Sequence, residues 1–180
     1  MKFLTFSKMP LNRCTVERKD QAWVQSQFKE RQAVIIPHWR GRYIYCEQKL
    51  LTLDYRDAEN ICDRVEQEVI FLGLHDDKPW FVYDISSIEE EVVLEKLRGQ
   101  VELVDFRASL PWLENYQVPI LGYGNALCHW HRQSKFCGKC GAKNKPHEGG
   151  HMLKCISDKC ANQTFPRTDP VVIMLVVHKD

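Results

Sequence analysis

The sequence predicts an α+β chain: a mixed sheet-and-helix N-terminal domain, then a small cysteine-bearing module, then one further strand. Three observations predict it. Two pairs of β-branched and aromatic runs are each joined by turn residues. Stretches with helical spacing lie between and after them. Four of the eight cysteines then fall in one short stretch, from Cys137 to Cys160.

The elements follow in chain order. Ala33-Val34-Ile35-Ile36-Pro37 suits a buried strand, Gly41 marks a turn, and Tyr43 to Tyr45 read as the returning strand. A second hairpin pairs Val69 to Leu74 with Trp80 to Tyr83, across the turn residues His75 to Pro79. Ser86 or Ser87 reads as a helix N-cap, with Glu89, Glu90 and Glu91 in the first turn, where negative charge favours the helix dipole. The three glutamates therefore read as a solvated helix start rather than a catalytic or metal site, and that helix should end near Gly99. Val101 to Phe106 alternates as a further strand. Pro119, Gly122 and Gly124 mark a loop or helix entry, and from Asn125 the spacing of Leu127, Trp130 and His131 is helical, leading into Phe136-Cys137. The run Val171 to Val177 is continuously apolar, too short to cross a membrane, and reads as a strand buried on both faces.

Composition narrows the function. The chain has 180 residues, 44% of them apolar and 27% charged, with a formal net charge of +1. Nothing in that balance calls for nucleic acid or an anionic membrane as partner. The N-terminus lacks the sustained apolar stretch and small-residue cleavage site of a secretory signal, so the expected compartment is the cytoplasm. In a chain this rich in core residues, cysteines are not needed as disulfide staples. Cys14, Cys46, Cys62 and Cys128 are isolated and read as buried small hydrophobes with reduced thiols.

The remaining four have ligand spacing: Cys137-x2-Cys140, fourteen residues, then Cys155-x4-Cys160. Two short loops that each present two thiolates supply the tetrahedron that zinc takes. Gly138 and Gly141 let the first loop turn tightly, so that its amides point at the sulfurs. Gly149-Gly150 can turn the intervening hairpin. The pattern C-G-x-C-G is that of a zinc ribbon. A redox C-x-x-C pair leaves Cys155 and Cys160 unexplained. An iron–sulfur cluster takes the same thiolates, and ligand type does not separate it from zinc. Four cysteines leave no open position, so the metal's role should be structural. His129 and His131 read as helix-surface residues or as supports behind the ligands.

Beyond the cysteines stand Pro146-His147-Glu148-Gly149-Gly150, Phe165-Pro166-Arg167-Thr168-Asp169-Pro170 and the run to Val177. With Phe136 to Gly141, this ensemble resembles the NADH pyrophosphatase branch of the Nudix hydrolases, specifically from about Trp130 onward and loosely before it. The resemblance implies an N-terminal Nudix-like assembly domain over 1–130, a zinc ribbon over 131–167, and over 168–180 the first strand of a catalytic Nudix domain. It implies hydrolysis of the NAD(H) diphosphate to nicotinamide mononucleotide and AMP, with NAD-capped RNA as a further substrate, a homodimer, and Mg²⁺ or Mn²⁺ held only in the catalytic domain. The Nudix signature G-x5-E-x7-R-E-U-x-E-E-x-G-U does not occur in the 180 residues. The expectation is a truncated, inactive portion with no catalytic residue of its own. Phe165, directly before Pro166, matches the aromatic position that contacts the dinucleotide in this family; it either stacks on substrate or packs between ribbon and catalytic domain. Arg167 and Asp169 read as fixing the linker. The alternative is a free-standing zinc-ribbon module binding nucleic acid or protein, for which Lys135, Lys139, Lys143, Lys145 and Lys154 would form the basic face. A third reading is a regulatory fragment that dimerises with a complete enzyme.

Overall fold

The computed structural model describes residues 8–61, 69–97, 100–167 and 172–178. Cys62, Gly99, Thr168, Asp169, Pro170 and Val171 lie outside the described residues, and so do the expectations attached to them.

Two hairpins form the heart of a six-stranded mixed sheet. Strands β1 (Val34–Trp39) and β2 (Arg42–Cys46) pair antiparallel about Arg40-Gly41. Strands β4 (Val69–His75) and β5 (Lys78–Asp84) pair about Asp76-Asp77, both at positive φ. Two residues make that turn, so His75, Lys78 and Pro79 belong to the strands rather than to the turn. The hairpins join through a parallel pairing of β1 with β5, from Val34↔Trp80 to His38↔Asp84. The short β3 (Lys49–Leu50) and β6 (Glu102–Asp105) both pair with β2.

Alternation along the strands builds two cores. Ile35, Ile44, Phe71 and Phe81 face one side, and Ile36, Tyr43, Leu72 and Val82 face the other. The first side is covered by α1 (Gln21–Phe28), α2 (Tyr55–Ile61) and α3 (Glu90–Lys96) through Phe28, Ala58, Ile61 and Val93. The second is covered by the long α4 (Gln117–Gln133) through Val118, Leu121, Leu127 and Cys128. Pro119 sits in the first turn of α4, where a missing N–H costs nothing. At Gly124 an added Cβ would stand 3.3 Å from Tyr43 Oη. Pro119, Gly122 and Gly124 therefore lie within the helix rather than in a loop before it. Close approach lets Tyr43 Oη donate to Leu121 O at 2.5 Å.

Three further sequence expectations change. The N-cap of α3 is Glu89, not Ser86 or Ser87. The Ser86 hydroxyl is instead taken by the Arg40 N–H, which donates to it at 2.8 Å, and it donates in turn to Asp84. Glu89 and Glu90 do behave as surface charges, 3.8 and 3.7 Å from Arg40 and Arg42. Cys14 and Cys128 are buried as expected, but Cys46 is exposed, because the end of β2 turns outward into Glu47-Gln48 at positive φ. The apolar run is not a buried strand: residues 172–177 are 77–96% exposed and carry no strand pairing. Apolarity favours burial only where a neighbouring surface and a strand edge receive it, and the described sheets give this run neither.

Gly73 shows how tightly the sheet edge is built. Asn12 and Leu74 exchange backbone hydrogen bonds at 2.9 and 2.8 Å. Gly73 has φ +143°, and an added Cβ would lie 2.5 Å from Asn12 O. Gly73→Ala should destabilise the domain by about 3 kcal/mol through backbone strain and loss of that bridge. A urea midpoint equal to that of the wild type would contradict this.

Candidate metal centre

The cysteine module is a three-stranded sheet in the order β7-β8-β9: β7 (Asn144–His147), β8 (Met152–Cys155) and β9 (Gln163–Thr164). Each cysteine pair sits in a tight knuckle. In the first, the Cys137 N–H donates to Ala142 O at 2.7 Å and the Gly141 N–H to Cys137 O at 2.8 Å. In the second, the Cys155 N–H donates to Asn162 O, and both Cys160 and Ala161 N–H donate to Ser157 O. The two extra residues of the second loop are absorbed inside that turn, which ends on Ala161 at φ 44°.

The knuckles bring Cys137, Cys140, Cys155 and Cys160 together, with all four Sγ atoms within 4.8 Å of one another. Cys137 and Cys160 Sγ are 3.8 Å apart, Cys140 and Cys155 Sγ 3.4 Å. A disulfide would need about 2.05 Å. A metal–sulfur distance of about 2.3 Å in a tetrahedron places ligand sulfurs about 3.8 Å apart. The donor set therefore fits one tetrahedral ion, and the spacing is too small for four thiolates around a multi-iron cluster. Backbone amides support the thiolate form. Lys139 N–H points at Cys137 Sγ and Ser157 N–H at Cys155 Sγ, each at 3.4 Å. The amides of Lys139 and Cys140 lower the Cys137 thiol to about 6.

The module is clamped to the first sheet. Its hairpin tip, Glu148–Gly150, has positive φ throughout. A Cβ on Gly150 would stand 2.8 Å from Ile70 Cγ2, so glycine is what permits the contact with β4. His151 is 3% exposed; its Nε2 donates to Phe71 O at 2.6 Å and its Nδ1 accepts from Tyr123 Oη at 2.9 Å. His131 Nε2 donates to Gly150 O at 2.7 Å. Neither His131 nor the exposed His129 belongs to the sulfur cluster; His131 holds the hairpin tip.

Sequence reasoning missed a second polar assembly, at the C-terminal end of β5. Arg132 Nη1 donates to Asp84 Oδ2 at 2.8 Å, and Ser86 Oγ donates to Asp84 Oδ1. His38 Nδ1 lies 3.7 Å from Asp84 Oδ1, and its Nε2 donates to Asn125 Oδ1 at 2.9 Å. Burial alone would raise the Asp84 carboxyl; His38, Ser86 and Arg132 outweigh it and hold it down to about 2. His38, Asp84 and Cys128 also offer ligand atoms within 4.8 Å. Arg132 already supplies the positive charge a cation would bring, and this group ties α4 to the sheet. Phe165 follows β9 and is 55% exposed.

Comparison with known proteins bears on this architecture. Residues 12–130 match the family described as NUDIX-like, the NADH pyrophosphatase-like rudimentary NUDIX domain. The chain belongs to this family. Among similar proteins, Nudix hydrolase 19, chloroplastic, of Arabidopsis thaliana is 33% identical over 127 residues, covering 66% of this chain and 28% of its own length. NAD-capped RNA hydrolase NUDT12 of Homo sapiens is 28% identical over 161 residues, covering 74% and 35%. NAD-capped RNA hydrolase NudC of Deinococcus radiodurans is 27% identical over 134 residues, covering 74% and 44%. The chain thus spans less than half the length of these curated relatives. Among the described residues no helix is long and apolar enough to cross a membrane.

Proposed function

We propose that this chain is the N-terminal and zinc-ribbon portion of an NAD(H) diphosphatase, with residues 1–130 as the rudimentary Nudix domain, 131–167 as the ribbon and 168–180 as the entry to a catalytic Nudix domain. What carries the reading is one arrangement: a rudimentary Nudix domain whose last helix, α4, ends at Gln133, just before a four-thiolate knuckle pair that begins at Cys137. In that reading Cys137, Cys140, Cys155 and Cys160 hold one Zn²⁺, which fixes the ribbon and takes no part in turnover.

The full-length enzyme hydrolyses the NAD(H) diphosphate to nicotinamide mononucleotide and AMP. NAD-capped RNA is a second substrate, in keeping with the printed names of two of the relatives. Catalytic Mg²⁺ or Mn²⁺ belongs to the missing domain, where it would neutralise phosphate oxygens and activate water. Phe165 stays exposed and offers a ring face for the dinucleotide. The exposed run 172–177 gains its sheet neighbours from the catalytic domain. The assembly is a homodimer working in the cytoplasm. The coding sequence downstream of Asp180 tests the reading: an in-frame Nudix signature is expected, and a stop codon with no such signature would favour a free-standing ribbon module.

A further inference from the structure

We propose that the cleft between the end of β5, the end of α4 and the ribbon is a nucleotide site, with a base stacked on Phe136 and phosphate held by Lys135 and Lys143. The cleft has a volume of about 550 Å³. That lies within the range of small-ligand sites, about 300–1,000 Å³, and suits one nucleotide.

Its lining combines the groups a nucleotide needs. Phe136 is 61% exposed, an unusual state for a large ring on a small module. It is the bridge partner of Lys143, so the two residues sit opposite one another on paired backbone. Among the described residues neither Lys135 nor Lys143 has an acidic partner within salt-bridge distance. Asp84 is the one carboxylate lining the cleft, and Arg132 neutralises it at 2.8 Å. Asn144 donates through Nδ2 to Ser134 O at 2.9 Å, while its buried Oδ1 has no hydrogen-bond partner.

Charge is strongly polarised toward this part of the chain. Residues 131–167 hold eight Lys and Arg against two Asp and Glu, whereas the whole chain holds 25 against 24. The near-zero total therefore conceals a basic ribbon beside an acidic first domain. A four-thiolate zinc centre removes about two positive charges from that excess and leaves its sign unchanged. A positive surface with an exposed ring is the pattern that binds single-stranded polynucleotide through phosphate contact and sequence-tolerant stacking. The same chemistry would also take a free nucleotide. The inference does not rest on the diphosphatase reading, because it concerns equilibrium binding by this chain without turnover.

Titrating the purified chain with AMP and with a short fluorescent single-stranded oligoribonucleotide tests it. Binding of AMP alone identifies a free-nucleotide site, binding of the oligomer alone a strand site, and displacement of the oligomer by AMP a site open to both. In each case Lys143→Glu should weaken binding at least about tenfold, and Phe136→Leu, which keeps the apolar bulk without the π face, about fivefold or more. Oligomer affinity should fall with salt, with a log–log slope of about −1.4 for Lys135 and Lys143 together. Both substituted side chains are exposed, and each variant's metal content shows whether the ribbon remains folded. No binding of either probe at about millimolar concentration overturns the proposal. So does binding that both folded variants leave unchanged.

Discussion

Cys155→Ser should leave the chain without bound zinc and with the segment from Cys137 to Cys160 unfolded. Cys155 is buried in β8, and its Sγ stands 3.4 Å from that of Cys140. Apart from the clamp of its hairpin tip on β4 and α4, the ribbon has little else to hold it. Its sheet is three short strands, and Met152 and Leu153 are its main buried apolar side chains. Structural zinc in such modules supplies about 10–16 kcal/mol of apparent binding free energy at neutral pH, far more than so small a core provides. Amide hydrogen exchange should show the β7–β8 pairing lost in the variant, while β1 and β5 of the first domain stay protected. Cys46→Ser, at an exposed thiol outside the cluster, is the control and should change neither zinc content nor protection. A Cys155→Ser chain that still carries one zinc per chain with a protected ribbon contradicts this account of the centre.

The second large effect is loss of stability in mild acid. His151 is buried between Phe71 and Tyr123, and burial first, then the nearby Arg18, lower it from about 6.5 to about 4. The folded state thus holds this ring neutral while the unfolded chain would protonate it near pH 6.5. Between those values the unfolded state binds more protons, so stability rises with pH. The full contribution is present above about pH 6.5 and fades as pH falls toward 4, a loss of about 3 kcal/mol. His131, also lowered by burial, adds a change of the same sign. Asp84 acts lower, because its contribution is present above about 3.8 and fades toward 2. A metal held by the four thiolates would also be released in acid, so the informative quantity is the difference between two chains. In His151→Gln, unfolding free energy should fall less steeply from pH 6.5 to 4 than in the wild type, by up to about 1.4 kcal/mol per pH unit. Equal slopes would mean that His151 is not the buried neutral ring placed here.

Local chemistry made part of this architecture legible in sequence. The four cysteines announce themselves because ligand spacing within each pair is a property of a few adjacent residues. Gly41 and the Gly149-Gly150 pair marked turns that a side chain would strain, and the β-branched and aromatic residues on either side of the turns at Arg40-Gly41 and Asp76-Asp77 marked the strands. The short helices α1 and α2 were missed. Their best local signals are Asp20, whose carboxylate accepts the Ala22 and Trp23 N–H groups, and Asp54, which accepts that of Asp57. The parallel pairing of β1 with β5 and the meeting of His38, Asp84, Asn125 and Arg132 depend on chain topology, which no window of sequence contains. Charge misled in a different way, since a total of +1 hid the basic ribbon. The run 172–177 shows the converse limit: its apolarity states a need for burial, but no edge of the described sheets receives it.

The most direct test of the central claim is turnover by this chain. The purified zinc-loaded protein is incubated with NADH and excess Mg²⁺ or Mn²⁺, and nicotinamide mononucleotide and AMP are measured by chromatography. A scaffold and ribbon without a Nudix signature should release neither above the rate of a protein-free control. Metal-dependent release of both, retained through purification and abolished by chelation, would place a catalytic site within these 180 residues and contradict the account.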